Sequence, residues 1–292
     1  MTSSDVAIGT TSGLYRFHSD QPLAFAGTEV NALARDADGP LAIVDGHDVY
    51  RGRDDDWEFV EHSDLRMNCL ARFGGDVFAG TEDAHVVRIG YGVVAGFDKA
   101  ETRDEWFTPW GGPPDVRSFA TTATTIYANV HVGGILASND GESWHATIDL
   151  ASDVHEVSAP ADDLLLAATA WGLATSTDGG RSWTFEDEGL HASYARAVCL
   201  AGDVIVMSAS EGPRGRRSAL YRKLVGDGAF ERCRDGLPEW FTNNVNTGCL
   251  AARDGIVYAG TEDGSLFVSY DAAATWEQAA SDLGAVRWIV AS

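Results

Sequence analysis

The ten residues STDGGRSWTF, Ser176 to Phe185, specify one kind of turn. Ser176 closes a strand, and the carboxylate of Asp178 can accept hydrogen bonds from the backbone N–H groups that follow it. Gly179 and Gly180 tolerate the positive φ such a turn needs, and Trp183 opens the next strand with a large ring beneath the turn. The result is a hairpin with a built-in clamp. It returns as SYDAAATW from Ser269 to Trp276, with alanines in place of glycines, and as ASNDGESW from Ala137 to Trp144, read with Asn139 at the clamp position. Recurrence of one hairpin predicts an array of small antiparallel sheets.

Working outward, each turn sits inside a repeating unit. Inner strands are expected to begin at Val30, Met67, Val116, Val154, Ala195, Val245 and Ala285, and second strands at Val6, Leu41, Val77, Ile126, Leu164, Val204 and Val257. Seven sets share the chain, about 42 residues each, the size of a four-stranded propeller blade. The expected fold is therefore all-β, a seven-bladed β-propeller of antiparallel blades forming a single domain over residues 1–292. The chain starts on a second strand and ends on an inner one. Residues Ala285 to Ser292 should therefore complete the first blade and close the ring, removing open sheet edges.

The clamped turns resemble the Asp-box, or BNR repeat, of sialidase-like, sortilin-like and photosystem-assembly-factor-like β-propellers, and the copy at Ser176 carries every expected residue. The resemblance implies the architecture; for activity it offers two templates. Sialidases hold a substrate carboxylate with three arginines and attack with a tyrosine paired to an acid. Arg117, Arg196, Arg287 and Tyr194 could imitate these, but sialidases have six blades and a Phe/Tyr-Arg-Ile-Pro segment that is absent here. Asp-box propellers that cleave neutral glucans use two acids spaced to admit a water, a role open to Asp45, Glu82, Glu156 and Glu262.

The candidate site follows from register. The second or third residue of each inner strand reads Asn31, Asn68, Arg117, His155, Arg196, Asn246 and Arg287, polar in every blade where strand interiors are normally apolar. Loops at that end of a propeller surround the channel mouth. Three arginines and a histidine there would make an anion site. The turns between second and third strands bring Asp45, Glu82, His131 and Glu262 to the same face, so a self-neutralised polar network is the competing reading. Phe107, Trp110, Trp171, Tyr194, Trp240 and Phe241 add aromatic surface suited to a glycan or protein, while Trp106, which begins an outer strand, is expected in the core. Arg214, Arg216 and Arg217 are assigned to a mobile loop. Arg16, Arg51, Arg88 and Arg222, on third strands, are expected to pair with outer-strand acids such as Glu58, Glu105 and Glu231. Insertions interrupt the period at Val93–Asp104, a possible interaction platform, and at Ser210–Ser218.

Charge narrows the partners. The chain carries 44 acids against 21 bases, a formal net charge of -23, and its only lysines are Lys99 and Lys223. Such a surface repels nucleic acid and anionic membrane, and it resembles haloarchaeal proteins, where salt screens self-repulsion. The N-terminal MTSSDVAIGTT lacks a secretory pattern, so a cytoplasmic monomer is expected. Cys69, Cys199 and Cys249 lie in apolar strands and Cys233 on an outer one, all expected free. The eight histidines show no metal-ligand spacing, and no phosphate loop or Ser-His-Asp pattern appears, so neither metal nor cofactor is expected. The leading expectation is a non-catalytic ligand-binding or scaffold propeller for an anionic small molecule, glycan or protein. The alternative is a glycoside hydrolase of sialidase-like or glucanase-like type.

Overall fold

Seven four-stranded antiparallel sheets stand in a ring in the computed structural model, which describes residues 6–53, 56–109 and 111–291. We number the blades by their inner strands: Val286–Ala291 (blade 1), Val30–Ala34 (2), Met67–Phe73 (3), Val116–Thr121 (4), Val154–Ser158 (5), Tyr194–Ala201 (6) and Leu250–Arg253 (7). Second strands such as Ile126–Val130 and Leu165–Thr169 are buried at every residue, because blades cover both of their faces. That explains their unbroken apolar runs. Blades approach closely at glycines. A Cβ on Gly80 would lie 2.4 Å from Val116 Cγ1, and one on Gly260 would lie 2.4 Å from Val286 Cγ1. No helix among the described residues is long and apolar enough to cross a membrane.

Closure occurs as the register requires. Val286–Ala291 pairs antiparallel with Val6–Thr10, matching Val6 to Ala291 and Gly9 to Trp288. Thr11 N donates to Ala285 O at 3.0 Å, and Ala285 N donates to Thr11 Oγ1 at 3.0 Å. Ser292 lies outside the described residues.

The clamps form in all three turns, with one correction. Asp178 Oδ1 accepts from Arg181 N and Ser182 N, both at 2.9 Å, while Ser176 Oγ accepts from Gly180 N at 2.8 Å. Asp271 and Ser269 repeat the pattern. In the remaining copy the clamp is Asp140, not Asn139: its Oδ1 accepts from Glu142 N and Ser143 N at 2.8 and 2.7 Å. That turn is one residue shorter than the other two, which displaces the alignment. Asn139 instead donates to Thr124 O at 2.9 Å. Backbone donors hold Asp140 down to about 2, as they do for Asp271, and the Ser182 hydroxyl and N–H hold Asp178 there.

Other expectations are displaced. Blade 7 does not begin its inner strand at Val245: Asn246–Cys249 forms a turn, closed by Cys249 N donating to Asn246 O at 2.9 Å, and the strand starts at Leu250. Gly248 has φ 76° and no room for a Cβ, which would meet Trp288 Cε3 at 2.4 Å. Third-strand arginines find partners other than the expected outer-strand acids. Arg51 and Arg72 share the buried Asp36, Arg88 takes Asp76 and Glu142, and Arg222 donates to Ala272 O at 3.3 Å. Glu58 faces Arg53 at 3.2 Å, while Glu105 and Glu231 have no ion pair among the described residues. The insertion at Val93–Asp104 buries Val94, Phe97 and Ala100 against Trp106 and Trp144, while Val93 and Ala95 are exposed. The loop at Ser210–Ser218 is tethered, with Arg217 paired to Glu211 at 3.2 Å and Asn244 Nδ2 donating to Gly212 O at 3.3 Å. All four cysteines are free and buried.

Deleting residues 285–292 would expose two sheet edges and unseat Trp288. The expected outcome is a fall in Tm of more than about 10 °C, or failure to fold, at 2–4 °C per kcal/mol for a chain of this size. A truncated chain melting within a degree or two of the intact one would contradict the closure.

Candidate functional site

The polar residues expected at one register owe their placement to a repeated irregularity. In six inner strands the pairing with the second strand slips by one residue near the N-terminal end, leaving Asn31, Asn68, Arg117, His155, Arg196 with Ala197, and Arg287 out of the ladder. A β-bulge of this kind frees a side chain from the strand's alternation and re-aims it. A polar residue is therefore tolerated where the next residues are packed. Asn246 reaches the same end from the turn that replaces the strand start in blade 7.

These residues do not form one ring of free guanidinium groups. Arg287 belongs to a network on blades 1 to 3: its Nε donates to Glu29 Oε1 at 2.6 Å, Glu29 also meets Arg66 at 3.4 Å, and Arg66 meets Glu82 at 3.3 Å. Asp45, at φ 52°, offers Arg66 its carbonyl oxygen. Asp45, Glu82 and Glu262 are exposed. Asn68 Nδ2 donates to Val116 O at 3.4 Å, whereas Asn31 Oδ1 and Asn246 Oδ1 are buried without a hydrogen-bond partner.

A second arc, on blades 4 to 6, gathers Asp115, Arg117, His131, Asp153, His155, Tyr194 and Arg196. Arg117 Nε donates to both oxygens of Asp115, at 3.2 and 3.0 Å, but its Nη1 is buried without an acceptor. Arg196 has no carboxylate partner among the described residues, its Nε is likewise orphaned, and its guanidinium lies 5.7 Å from the Tyr194 ring centre. Burial and the Arg117 charge lower the Arg196 pKa, which leaves it a cation all the same. Burial and the Arg196 charge push His155 down to about 3, so the fully buried imidazole is neutral. Burial opposes the charge on Asp115, but the His131 hydrogen bond and Arg117 outweigh it and its pKa is lowered. His131, Asp153 and His155 bring ligand-capable atoms within 4.8 Å of one another. Sequence spacing missed this cluster because its members come from a hairpin turn and a neighbouring blade's inner strand.

The catalytic alternatives fare differently. Burial raises the Tyr194 pKa, opposite to what a nucleophile needs, and its ring rests on His155 with centroids 4.6 Å apart. Glu156 is buried and faces no arginine. Its carboxylate accepts from Val198 N at 2.9 Å and from Gly248 N at 3.0 Å, while Thr247 Oγ1 donates to His155 O at 2.9 Å. Desolvation outweighs those two donors and pushes Glu156 up to about 8. Glu156 thus joins blades 5, 6 and 7 across the channel. Trp288 from blade 1 packs against the apolar clusters of blades 2, 3 and 4. Of the aromatic residues, Trp106 and Phe241 are core, Phe107 and Trp171 are exposed, and Trp240 is held by Arg232, 3.6 Å from its ring centre. Trp110 lies outside the described residues.

The sequence matches no known family profile and no curated protein. Among solved structures, the chain is similar to the WD40 β-propeller domain of Doa1, with 12% identity over 92% of this chain and 85% of that one at a TM-score of 0.62. It is also similar to YCF48 bound to D1 peptide, with 15% identity, 95% and 86% coverage and a TM-score of 0.56. A putative 6-phosphogluconolactonase from Bacteroides fragilis matches with 11% identity, 99% and 98% coverage and a TM-score of 0.63. The chain spans 33% of the extracellular domain of the putative hybrid two-component system BT4673 from B. thetaiotaomicron, at a TM-score of 0.60 and 14% identity. At these identities the likeness establishes the propeller fold alone.

The raised Glu156 pKa makes stability depend on pH. Below about 4.5 the group is protonated whether the chain is folded or not. As pH rises from there to about 8 the unfolded chain ionises first, so stability falls by up to about 1.4 kcal/mol per pH unit and then levels off. Glu156→Gln, which accepts only one of the two N–H groups and carries no charge at any pH, should flatten this slope, so that its Tm lies furthest below the parent's near pH 5 and the gap narrows as pH rises to 8. Parallel Tm profiles for variant and parent from pH 5 to 8 would refute it.

Proposed function

We propose that the chain is an Asp-box propeller that binds a carboxylate-bearing ligand, an acidic glycan or peptide, on the Arg117–Arg196 arc, without cleaving it. The observation that carries this is the pair of buried guanidinium donors, Arg117 Nη1 and Arg196 Nε, that no protein acceptor satisfies. A buried unpaired donor costs roughly 1–3 kcal/mol, and a carboxylate between the two arginines would satisfy both. In a protein of net charge -23, guanidinium N–H groups left without an acceptor favour an anion against a repulsive background. The propeller likeness supports a binding or scaffold role, and YCF48 bound to D1 peptide is one such fold occupied by a peptide. Glycoside hydrolysis has less support, since Tyr194 is raised in pKa and Glu156 is engaged with backbone amides.

Calorimetric titration with citrate, and with a short Asp/Glu-rich peptide, should show saturable binding. The double variant Arg117→Gln/Arg196→Gln should weaken it at least about tenfold, or 1.4 kcal/mol, while Arg287→Gln, already paired with Glu29, should leave it unchanged. Equal loss in Arg287→Gln, or none in the double variant, would overturn the assignment. Turnover of a glycoside panel that disappears in Tyr194→Phe would favour the hydrolase.

We also propose that the acidic surface is suited to concentrated salt. Raising KCl from about 0.1 M to about 1 M shortens the screening length from ~10 Å to ~3 Å and should raise Tm. A Tm that stays flat or falls over that range would refute the proposal.

A further inference from the structure

We propose that His131, Asp153 and His155 form a binding site for a divalent transition-metal ion of the zinc type. Their ligand atoms lie within 4.8 Å of one another, and the hydrogen bonds behind them prepare the lone pairs. His155 Nδ1 is 2.5 Å from Ala195 O, so that nitrogen must carry the proton and donate it, which leaves Nε2 as a bare acceptor. The residue is fully buried, and its Nε2 has no hydrogen-bond partner. What it faces is Asp153 Oδ1 at 3.6 Å. A neutral imidazole nitrogen and a carboxylate oxygen are both acceptors, and nothing supplies a hydrogen between them. A cation satisfies both.

The two separations to Asp153 fit one. Ligand atoms around a tetrahedral zinc ion at about 2.1 Å sit roughly 3.4 Å apart; His131 Nε2 is 3.3 Å from Asp153 Oδ1, beside the 3.6 Å of His155. His131 Nδ1 is 3.3 Å from Asp115 Oδ1, so a proton on Nδ1 donates to that carboxylate and turns the Nε2 lone pair inward. Both imidazoles then have the outer hydrogen bond that orients metal-bound histidines, one to a carboxylate and one to a backbone carbonyl. Asp153 is held at φ 44°, a left-handed conformation that fixes the direction of its side chain. Two nitrogens and one oxygen suit zinc or cobalt better than magnesium or calcium, and three protein ligands leave a fourth position for an outside group.

Two features compete. His131 doubly protonated would bridge Asp115 and Asp153 as an ion pair, but it would leave His155 Nε2 unsatisfied. Arg117 and Arg196 repel a cation, and Asp115 and Asp153 offset their two charges. The site uses none of the guanidinium donors, so it stands or falls separately from anion binding.

The test uses the full chain, stripped with chelator and dialysed into citrate-free buffer, then titrated with Co2+ alone. The expected result is one equivalent bound with the intense visible absorption of four-coordinate cobalt, displaced by Zn2+. Asp153→Asn keeps the shape but removes the charge, and should weaken binding at least about 100-fold. Asp115→Asn, acting through His131, should weaken it by about 10–100-fold. A crystal soaked in Zn2+ should show anomalous density between the three side chains without requiring any variant to fold. Absence of the four-coordinate spectrum in the intact chain, unchanged affinity in Asp153→Asn, or anomalous density only at surface carboxylates would overturn the proposal.

Discussion

The bulge near the start of six inner strands governs what this ring presents at one end of its channel. A propeller buries its strands between neighbouring blades, and a polar side chain kept in strict alternation there would enter a dry interface at a cost of several kcal/mol. Releasing one residue per strand from the ladder turns that side chain away from the interface while the residues beside it stay packed. Asparagine, arginine and histidine at this point are consequences of that local break, and the chemistry of the mouth is confined to the side chains the bulges release.

What those side chains can do depends on the partners each blade supplies. On blades 1 to 3, Glu29 and Glu82 consume Arg287 and Arg66 in a chain of ion pairs. On blades 4 to 6 the supply of acid is smaller relative to the polar groups: Asp115 and Asp153 are shared among Arg117, His131 and His155, and Arg196 pairs with neither. The asymmetry leaves Arg117 Nη1, Arg196 Nε and His155 Nε2 buried without partners. Repeats that look equivalent in sequence are therefore unequal in how far their polar groups are satisfied.

Behind these side chains, contacts run between blades. Trp288 extends from the closing strand against three blades, Gly248 makes room for its ring, and Glu156 ties blade 5 to the backbones of blades 6 and 7. One strand thus both closes the first blade and helps fill the axis.

Blade number, strand order and closure by the last strand were legible in the chain because they rest on local signals that repeat: strand runs of similar length, glycine where blades touch, and a serine–aspartate–tryptophan turn. The register of the polar positions was legible for the same reason, down to His155 and Arg196. Asp140 was misread as Asn139 because a turn one residue shorter slips the alignment, and the start of blade 7 because VNTGCLA has a strand's composition while Gly248 needs positive φ. Only the folded ring decided which arginines are neutralised, that Glu156 looks inward to amides, and that His131 meets Asp153 and His155. Those outcomes depend on distances between blades, and a one-dimensional pattern carries each blade's residues without the neighbour that completes them.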